Sequence, residues 1–292
     1  NCEIIVQTTS SSTYRGISRN NEANPLSNIR ILNNNIDGGY YGIYLYGYSS
    51  TSERNTNIVI NNNKINTMYY GIYAYYTNLD YVNGNTITQH LSSTNANYGM
   101  YFSTCYAKEI VGNRIRTDYN TNYGIYGSSF GAESASSRLL IANNEMILTS
   151  ISSGRGIYIS SGQNYTDFYH NSILLKGSGL MDGCLYLVNT ATDVKIFNNN
   201  FVNLSGTSTS TATYAIYTSS QSYLNNTSLD YNNYYTKGIN MGYASNPVLN
   251  LAAWQVVTGG KDMNSVSLLP NFTDPTFSNL HTDGFSMFCP PL

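Results

Sequence analysis

The feature that most narrows the choices for this chain is a repeat. Ile29-Arg30-Ile31-Leu32-Asn33-Asn34-Asn35-Ile36 is followed by Tyr41-Gly42-Ile43-Tyr44. The pair returns as Ile58 to Ile65 with Tyr70-Gly71-Ile72-Tyr73, as Leu79 to Ile87 with Tyr98-Gly99-Met100-Tyr101, and as Ile110 to Ile115 with Tyr123-Gly124-Ile125-Tyr126. Looser copies follow at Leu140 to Met146, Phe168 to Ile173 and Ile196 to Phe201, and a half-copy at Leu229 to Tyr235. Aligned on the Asn two places before the apolar residue, the register is Asn34, Asn63, Asn85, Asn113, Asn144, Asn171, Asn199 and Asn233, with steps of 29, 22, 28, 31, 27, 28 and 34 residues. A period of this size is too short for a domain and suits one coil of a solenoid.

Inside each coil the apolar residues alternate, as Ile29 and Ile31 do, which is the period of a half-buried strand. Asn, Ser, Thr, Gly, Tyr and Ile dominate, so the coil consists of strands and turns. Two short strands cannot close a core alone. Stacked on a like coil, each pairs in parallel with its counterpart roughly 4.8 Å away. Isoleucine then lies on isoleucine, and the Asn side chains line up where they can hydrogen-bond along the stack, which meets the cost of burying amides. The expected fold is therefore all-β, a parallel solenoid of about eight coils.

The Asn-x-Ile turn, the Gly-Ile-Tyr strand and the period resemble the right-handed parallel β-helix repeat family (the pectate-lyase-like superfold) over about Ile4 to Tyr235. That family includes polysaccharide-cleaving enzymes, phage tailspikes and secreted bacterial surface proteins, and the resemblance implies a single-stranded right-handed helix of coils. Beyond Tyr235, Asn250 caps a short helix, Leu251 to Val257, which Gly259-Gly260 ends. With Asp262-Met263-Asn264-Ser265 and Leu269-Pro270-Asn271-Phe272, this run resembles the C-terminal segment of secreted bacterial β-helix proteins, except that Leu269 stands where those have Asp. Coils over residues 1–235 and a capping segment over 236–292 are expected, with Trp254 covering the exposed strand edges of the last coil.

Only 10% of the residues are charged and the net charge is −2, so there is no basic field for nucleic acid and no polybasic membrane patch. No apolar run reaches the length of a membrane-spanning helix, so no membrane insertion is expected. Solubility must rest on neutral polar groups, 41 Asn among them, and on 29 Tyr. This is the look of a secreted bacterial repeat protein, and the abrupt start at Asn1 reads as a segment of something longer. Cys2, Cys105, Cys184 and Cys289 fit no metal spacing and leave a disulfide open. Cys184, at the Gly position before Leu185-Tyr186, reads as a buried small side chain. Neither a metal nor a cofactor is expected.

A polysaccharide hydrolase of the resembled family would need clustered Asp residues, including an adjacent pair, and the chain has no Asp-Asp dipeptide. Asp80, Glu109 and Asp230 fall near the motif and could share one outward face, more plainly a solvated one. His170, with Asp167 and Lys176 nearby in sequence, is the best acid–base candidate; the plainer reading is a turn residue bonded to backbone. His90 and His281 have no visible partners. Tyr44, Tyr73, Tyr101, Tyr126, Tyr158, Tyr186 and Tyr217 follow the inward apolar residue by one place and should point outward as an aromatic ladder, widened by Tyr46 and Tyr75. Such a ladder suits sugar rings or a partner surface, or serves only as ring-on-ring stacking.

These observations together suggest an extracellular, cell-surface, non-catalytic module, acting as stalk, adhesin or fibre segment. The alternatives are a polysaccharide lyase or hydrolase, and a glycan-binding module that uses the tyrosines. The partners that fit are a polysaccharide or cell-surface glycan, a second copy, or flanking modules of a longer chain.

Overall fold

Each coil is made of three short strands, and the corner between two of them sets the geometry. The computed structural model describes residues 2–20, 24–49, 54–89, 96–118, 122–162, 164–188, 192–274 and 279–282. The strand after each Asn corner joins a nine-stranded parallel sheet, from Glu3–Val6 through Asn35–Gly38 and Lys64–Asn66 to Asn233–Thr236. A second sheet carries the Tyr-Gly-Ile-Tyr strands, Tyr41–Tyr46 on Tyr70–Tyr75 and onward. A third carries the strands that lead into the corner, such as Arg30–Leu32 on Asn55–Asn61. The result is a parallel β-solenoid, as the repeat predicts.

The residue before each ladder Asn takes a left-handed conformation: Asn33, Asn62, Gly84, Gly112, Asn143, His170, Asn198 and Tyr231 all have φ between 54° and 67°. Asn and Gly tolerate this region best, which is why they recur there. The next Asn is then swung inward. Its backbone N–H and its Nδ2 both donate to Oδ1 of the Asn one coil on, for example Asn85 to Asn113 at 2.9 and 3.0 Å and Asn113 to Asn144 at 3.0 and 2.9 Å. Nδ2 also reaches back to a third-sheet carbonyl, Val82 in the case of Asn113, at 2.7 Å. The column runs unbroken from Asn34 to Asn199 and then to Asn232. The last rung is thus Asn232 and not Asn233, which lies one place on in a strand and pairs with Asn200. The reason is that Tyr234, fully buried, fills the bore, while Tyr235 is only partly buried.

Three inward files pack the bore. Ile36, Ile65, Ile87 and Ile115 come from the first sheet, Ile43, Ile72, Met100 and Ile125 from the second, and Ile31, Ile60, Val82 and Ile110 from the third, all in one cluster. Burying such a side chain contributes about 1.5–3 kcal/mol each. The glycine of the second-sheet strand is needed for steric reasons: a Cβ on Gly99 would lie 2.5 Å from Ile115 Cγ2 and 2.6 Å from the Gly124 carbonyl oxygen. In later coils Cys184 takes this place as a small, fully buried residue.

Parallel pairing runs past Tyr235, to Gly242–Ala244 on Ile216–Thr218. Helix Leu251–Val257 then crosses the end of the stack, with the Asn250 side chain accepting from Ala253 N–H. Trp254 is fully buried against Tyr234. The Asp-x-Asn-Ser run finishes the column: Asn232 N–H donates to Ser265 Oγ at 2.8 Å, and Asn232 Nδ2 donates to Asp262 Oδ1 at 3.3 Å. Asp262 Oδ2 also accepts from Trp254 Nε1 at 2.8 Å and from the Tyr234 hydroxyl at 2.9 Å.

The chain then leaves the end of the stack. Phe272–Asp274 and Asn279–Thr282 pair as an antiparallel hairpin. Leu280 packs on Ile147, Leu174 and Val202, which point out of the first sheet. The outward positions are therefore less uniformly polar than the sequence suggests, because a later segment covers three of them.

Candidate functional site

The second sheet presents a surface that repeats from coil to coil. At each glycine two successive residues turn inward, as Gly42 and Ile43 do, so Tyr41 and Tyr44 both face out although three places apart. Two files of rings result. The predicted file is all there, in register: Tyr44, Tyr73, Tyr101, Tyr126, Tyr158, Tyr186 and Tyr217, with Tyr243 as an eighth member. Beside it stand Tyr41, Tyr70, Tyr98 and Tyr123, which simple alternation missed; the constant Tyr-Gly-Ile-Tyr spacing was the signal for them. Tyr46 and Tyr75 widen the N-terminal part in an edge-to-face pair at 4.9 Å.

Within each file the rings lie face to face. Tyr44–Tyr73, Tyr73–Tyr101 and Tyr101–Tyr126 have centroids 5.0, 4.9 and 4.8 Å apart and planes within 8° of parallel. Tyr70–Tyr98 and Tyr98–Tyr123 stack equally well at 4.9 Å. Across the files the contacts are edge-on, as between Tyr98 and Tyr101 at 5.3 Å and 89°. Both arrangements suit the ring quadrupole. They also direct ring faces at one another, so ring edges and hydroxyl groups are what solvent meets.

The regular stacking stops at one coil. Tyr158 is rotated 67° from Tyr126 and 80° from Tyr186. Arg155 holds the place of a file tyrosine there, its guanidinium 4.7 Å from the Tyr158 centroid and 4.2 Å from that of Tyr186. The opposing strand bulges, with Gly154 against Met181 and Arg155 against Gly183. The extra residue, Asp182, accepts a hydrogen bond from Arg155 Nη2. Beyond this seam stacking resumes, with Tyr186–Tyr217 at 3.8 Å and Tyr217–Tyr243 at 4.5 Å.

Burial in the slab raises the pKa of several of its phenols. Desolvation, and then the neighbouring phenols Tyr40 and Tyr44, push Tyr41 up to about 12, although Arg15 pulls the other way. Tyr70, Tyr73 and Tyr98 are raised for the same reason. Burial likewise raises Asp182, with Arg155 opposing it.

The acid–base candidates are spread over two sheets and the corner between them. Asp167 lies on the third sheet and accepts from Arg138 Nε at 2.9 and 3.1 Å. His170 sits at the left-handed corner, where burial lowers its pKa. Lys176 ends a first-sheet strand. His170 lines a groove of about 430 Å³ with Arg114, Asn143, Glu145, Ser172 and Leu280, and Glu145 Oε1 there accepts from Leu280 N–H at 3.0 Å. Asp80, Glu109 and Asp230 do not share a face position. Asp80 pairs with Lys108 at 2.8 Å, Glu109 stands opposite Tyr81 and Leu140, and Asp230 holds Asn264 of the cap. His90, Cys289 and the His281 side chain lie outside the described residues.

A family model described as "Periplasmic copper-binding protein (NosD)" matches residues 1–147. The chain belongs to the NosD family. The match supports the β-helix repeat and adds nothing to the pectate-lyase-like part of the resemblance. No curated protein and no solved structure matches the chain.

Among the described residues no three of His, Cys, Asp and Glu gather closely enough to hold a metal ion. The Cys105 and Cys184 thiols are fully buried and donate to backbone carbonyls, Cys105 to Ser103 at 3.1 Å and Cys184 to Ile173 at 3.8 Å. Burial raises both pKa values, Cys105 to about 12, which disfavours the thiolate that a soft metal takes. Among the described residues, then, these donors are not gathered in a form that fits copper.

Proposed function

We propose that this member of the NosD family is a non-catalytic rod that works outside the cytoplasm, in the cell envelope or beyond it, as a stalk or adhesive segment of a longer protein. The observation that carries the reading is repetition. From Asn34 onward each coil renews the same asparagine corner, and nearly every coil the same tyrosine face, so length and stiffness are what the design accumulates. Several carboxylates are already engaged, as Asp167 is with Arg138 and Asp230 with Asn264 of the cap. The purified chain should leave pectin, alginate and glycosaminoglycans intact in a depolymerisation screen; cleavage of any of them overturns the proposal. Fractionation of the producing cells should place the chain outside the cytoplasm.

A second reading is favoured by the slab itself. Phenol hydroxyls recur along the axis at the spacing of the stacked rings, about 5 Å, and an extended glycan lying lengthwise would find a donor and acceptor at each coil. Contact would be through edges and hydroxyls, since the ring faces are taken up by each other. Glycan-array binding that disappears in the double variant Tyr73→Ala, Tyr101→Ala would support it; unchanged binding would rule out the slab as the receptor.

A further inference from the structure

The rings of the slab are also reactants held against each other. Tyr186 and Tyr217, from neighbouring coils, lie 3.8 Å apart with planes 6° from parallel. Tyr217–Tyr243 at 4.5 Å and the run Tyr44–Tyr73–Tyr101–Tyr126 near 5 Å repeat the arrangement. The parallel strands fix these partners, so two reactive rings formed side by side cannot diffuse apart.

We propose that the tyrosine ladder is a site of oxidative cross-linking, in which a one-electron oxidant of the haem-peroxidase class converts stacked tyrosines of adjacent coils to dityrosine. Each of two phenols gives one electron to the oxidant and its hydroxyl proton to water. The two phenoxyl radicals, with spin density on the carbons ortho to oxygen, join through one new carbon–carbon bond. The hydrogen on each joined carbon then moves to the oxygen of its own ring, which restores two phenols. Two electrons and two protons have left, and the pair is lighter by two hydrogens. No atom is added.

The structure also says where coupling occurs. The tyrosines of both files are only partly buried, so an oxidant can reach their outward edges. The seam divides the ladder, because Tyr158 is turned out of the stack on both sides. Coupling therefore falls in two blocks, Tyr44 to Tyr126 and Tyr186 to Tyr243, with Tyr186–Tyr217 leading. Tyr14, Tyr48 and Tyr81 are more exposed and stand outside the stacks, so they serve as built-in controls.

The test is brief oxidation of the whole folded chain by a haem peroxidase with hydrogen peroxide, read by dityrosine fluorescence and by mass spectrometry of tryptic peptides. Lys195 separates Tyr186 from Tyr217, so their cross-link appears as two joined peptides lacking two hydrogens. The expected result is that this species forms in proportions independent of protein concentration, roughly ten-fold above any link to Tyr14, Tyr48 or Tyr81, and disappears in Tyr186→Phe. Tyr158→Phe should leave it unchanged, and circular dichroism checks that both variants keep the fold. Links dominated by the three exposed tyrosines, purely intermolecular coupling, or the same pattern from the urea-unfolded chain would each overturn the proposal.

Discussion

Replacing Asn113 by Ala tests the column at its middle. Asn113 is fully buried, and its side chain makes four hydrogen bonds. Oδ1 accepts from Asn85 N–H and Asn85 Nδ2, while Nδ2 donates to Val82 O and Asn144 Oδ1. Alanine removes all four. Asn85 Nδ2 keeps its bond to Ile60 O, and Asn144 Oδ1 keeps Asn113 N–H. Asn85 N–H is left without its partner in a dry corner. The orphaned buried donor costs about 1–3 kcal/mol and the other three lost bonds about 1 kcal/mol each net, so Asn113→Ala should cost about 4–6 kcal/mol. That is a large share of a typical total stability of about 5–15 kcal/mol.

The comparison is Asn34→Ala, where Oδ1 accepts from Cys2 N–H and Nδ2 donates to Asn63 Oδ1. Water can replace the first bond, and Asn63 Oδ1 keeps Asn34 N–H, so the cost should stay at about 1–2 kcal/mol. Urea unfolding followed by circular dichroism gives both values as midpoint shifts, provided the slope is unchanged. Hydrogen exchange shows whether the stack opens locally at the altered rung instead. Equal costs for the two variants, or a cost below about 1 kcal/mol for Asn113→Ala, would refute the claim that the buried amides hold the coils together.

Other outcomes follow from the same geometry. Gly99→Ala drives a Cβ into Ile115 and the Gly124 carbonyl and should cost about 1–3 kcal/mol or more, whereas at Gly183 the nearest atom is 3.4 Å away, so Gly183→Ala should leave the melting temperature nearly unchanged. In the folded chain Tyr41 keeps its proton up to about pH 12, whereas the unfolded chain releases it near the ordinary value of 10.0. The stability tied to that proton is complete below pH 10 and lost as pH rises toward 12, so alkaline unfolding and the tyrosinate absorbance should rise together in that window. A thiol reagent should modify Cys2 at once, with Cys105 and Cys184 reacting only on unfolding, since Cys2 is exposed and the other two are buried; rapid reaction of either buried thiol in native buffer would contradict the packing.

The fold was legible because its determinants are local and repeated. Asn63, Asn85 and Asn113, each two places before an isoleucine, mark the corner without any three-dimensional information. What escaped the sequence had one of three causes. At the half-copy, Asn232 and Asn233 are adjacent, and only burial of Tyr234 decides which is the rung. Tyr41 was missed because the glycine interrupts alternation, and counting by twos assumes that nothing does. The cover over Ile147 depends on Leu280, whose hairpin meets Glu145 across a separation of 135 residues, and no local pattern announces such a contact. The tyrosine ladder itself was predicted in register; that its faces turn toward one another, leaving edges outward, needed coordinates.

The asparagine column also has a polarity. Every side-chain carbonyl in it accepts from the coil before, so all the amide dipoles point the same way and reinforce one another, as peptide groups do in a helix. Their positive ends look toward the last coil, where a buried carboxyl group, Asp262, receives the final amide. A coil entering the stack upside down would set carbonyl against carbonyl, so the corner admits new turns in a single orientation and reads out the direction of the rod.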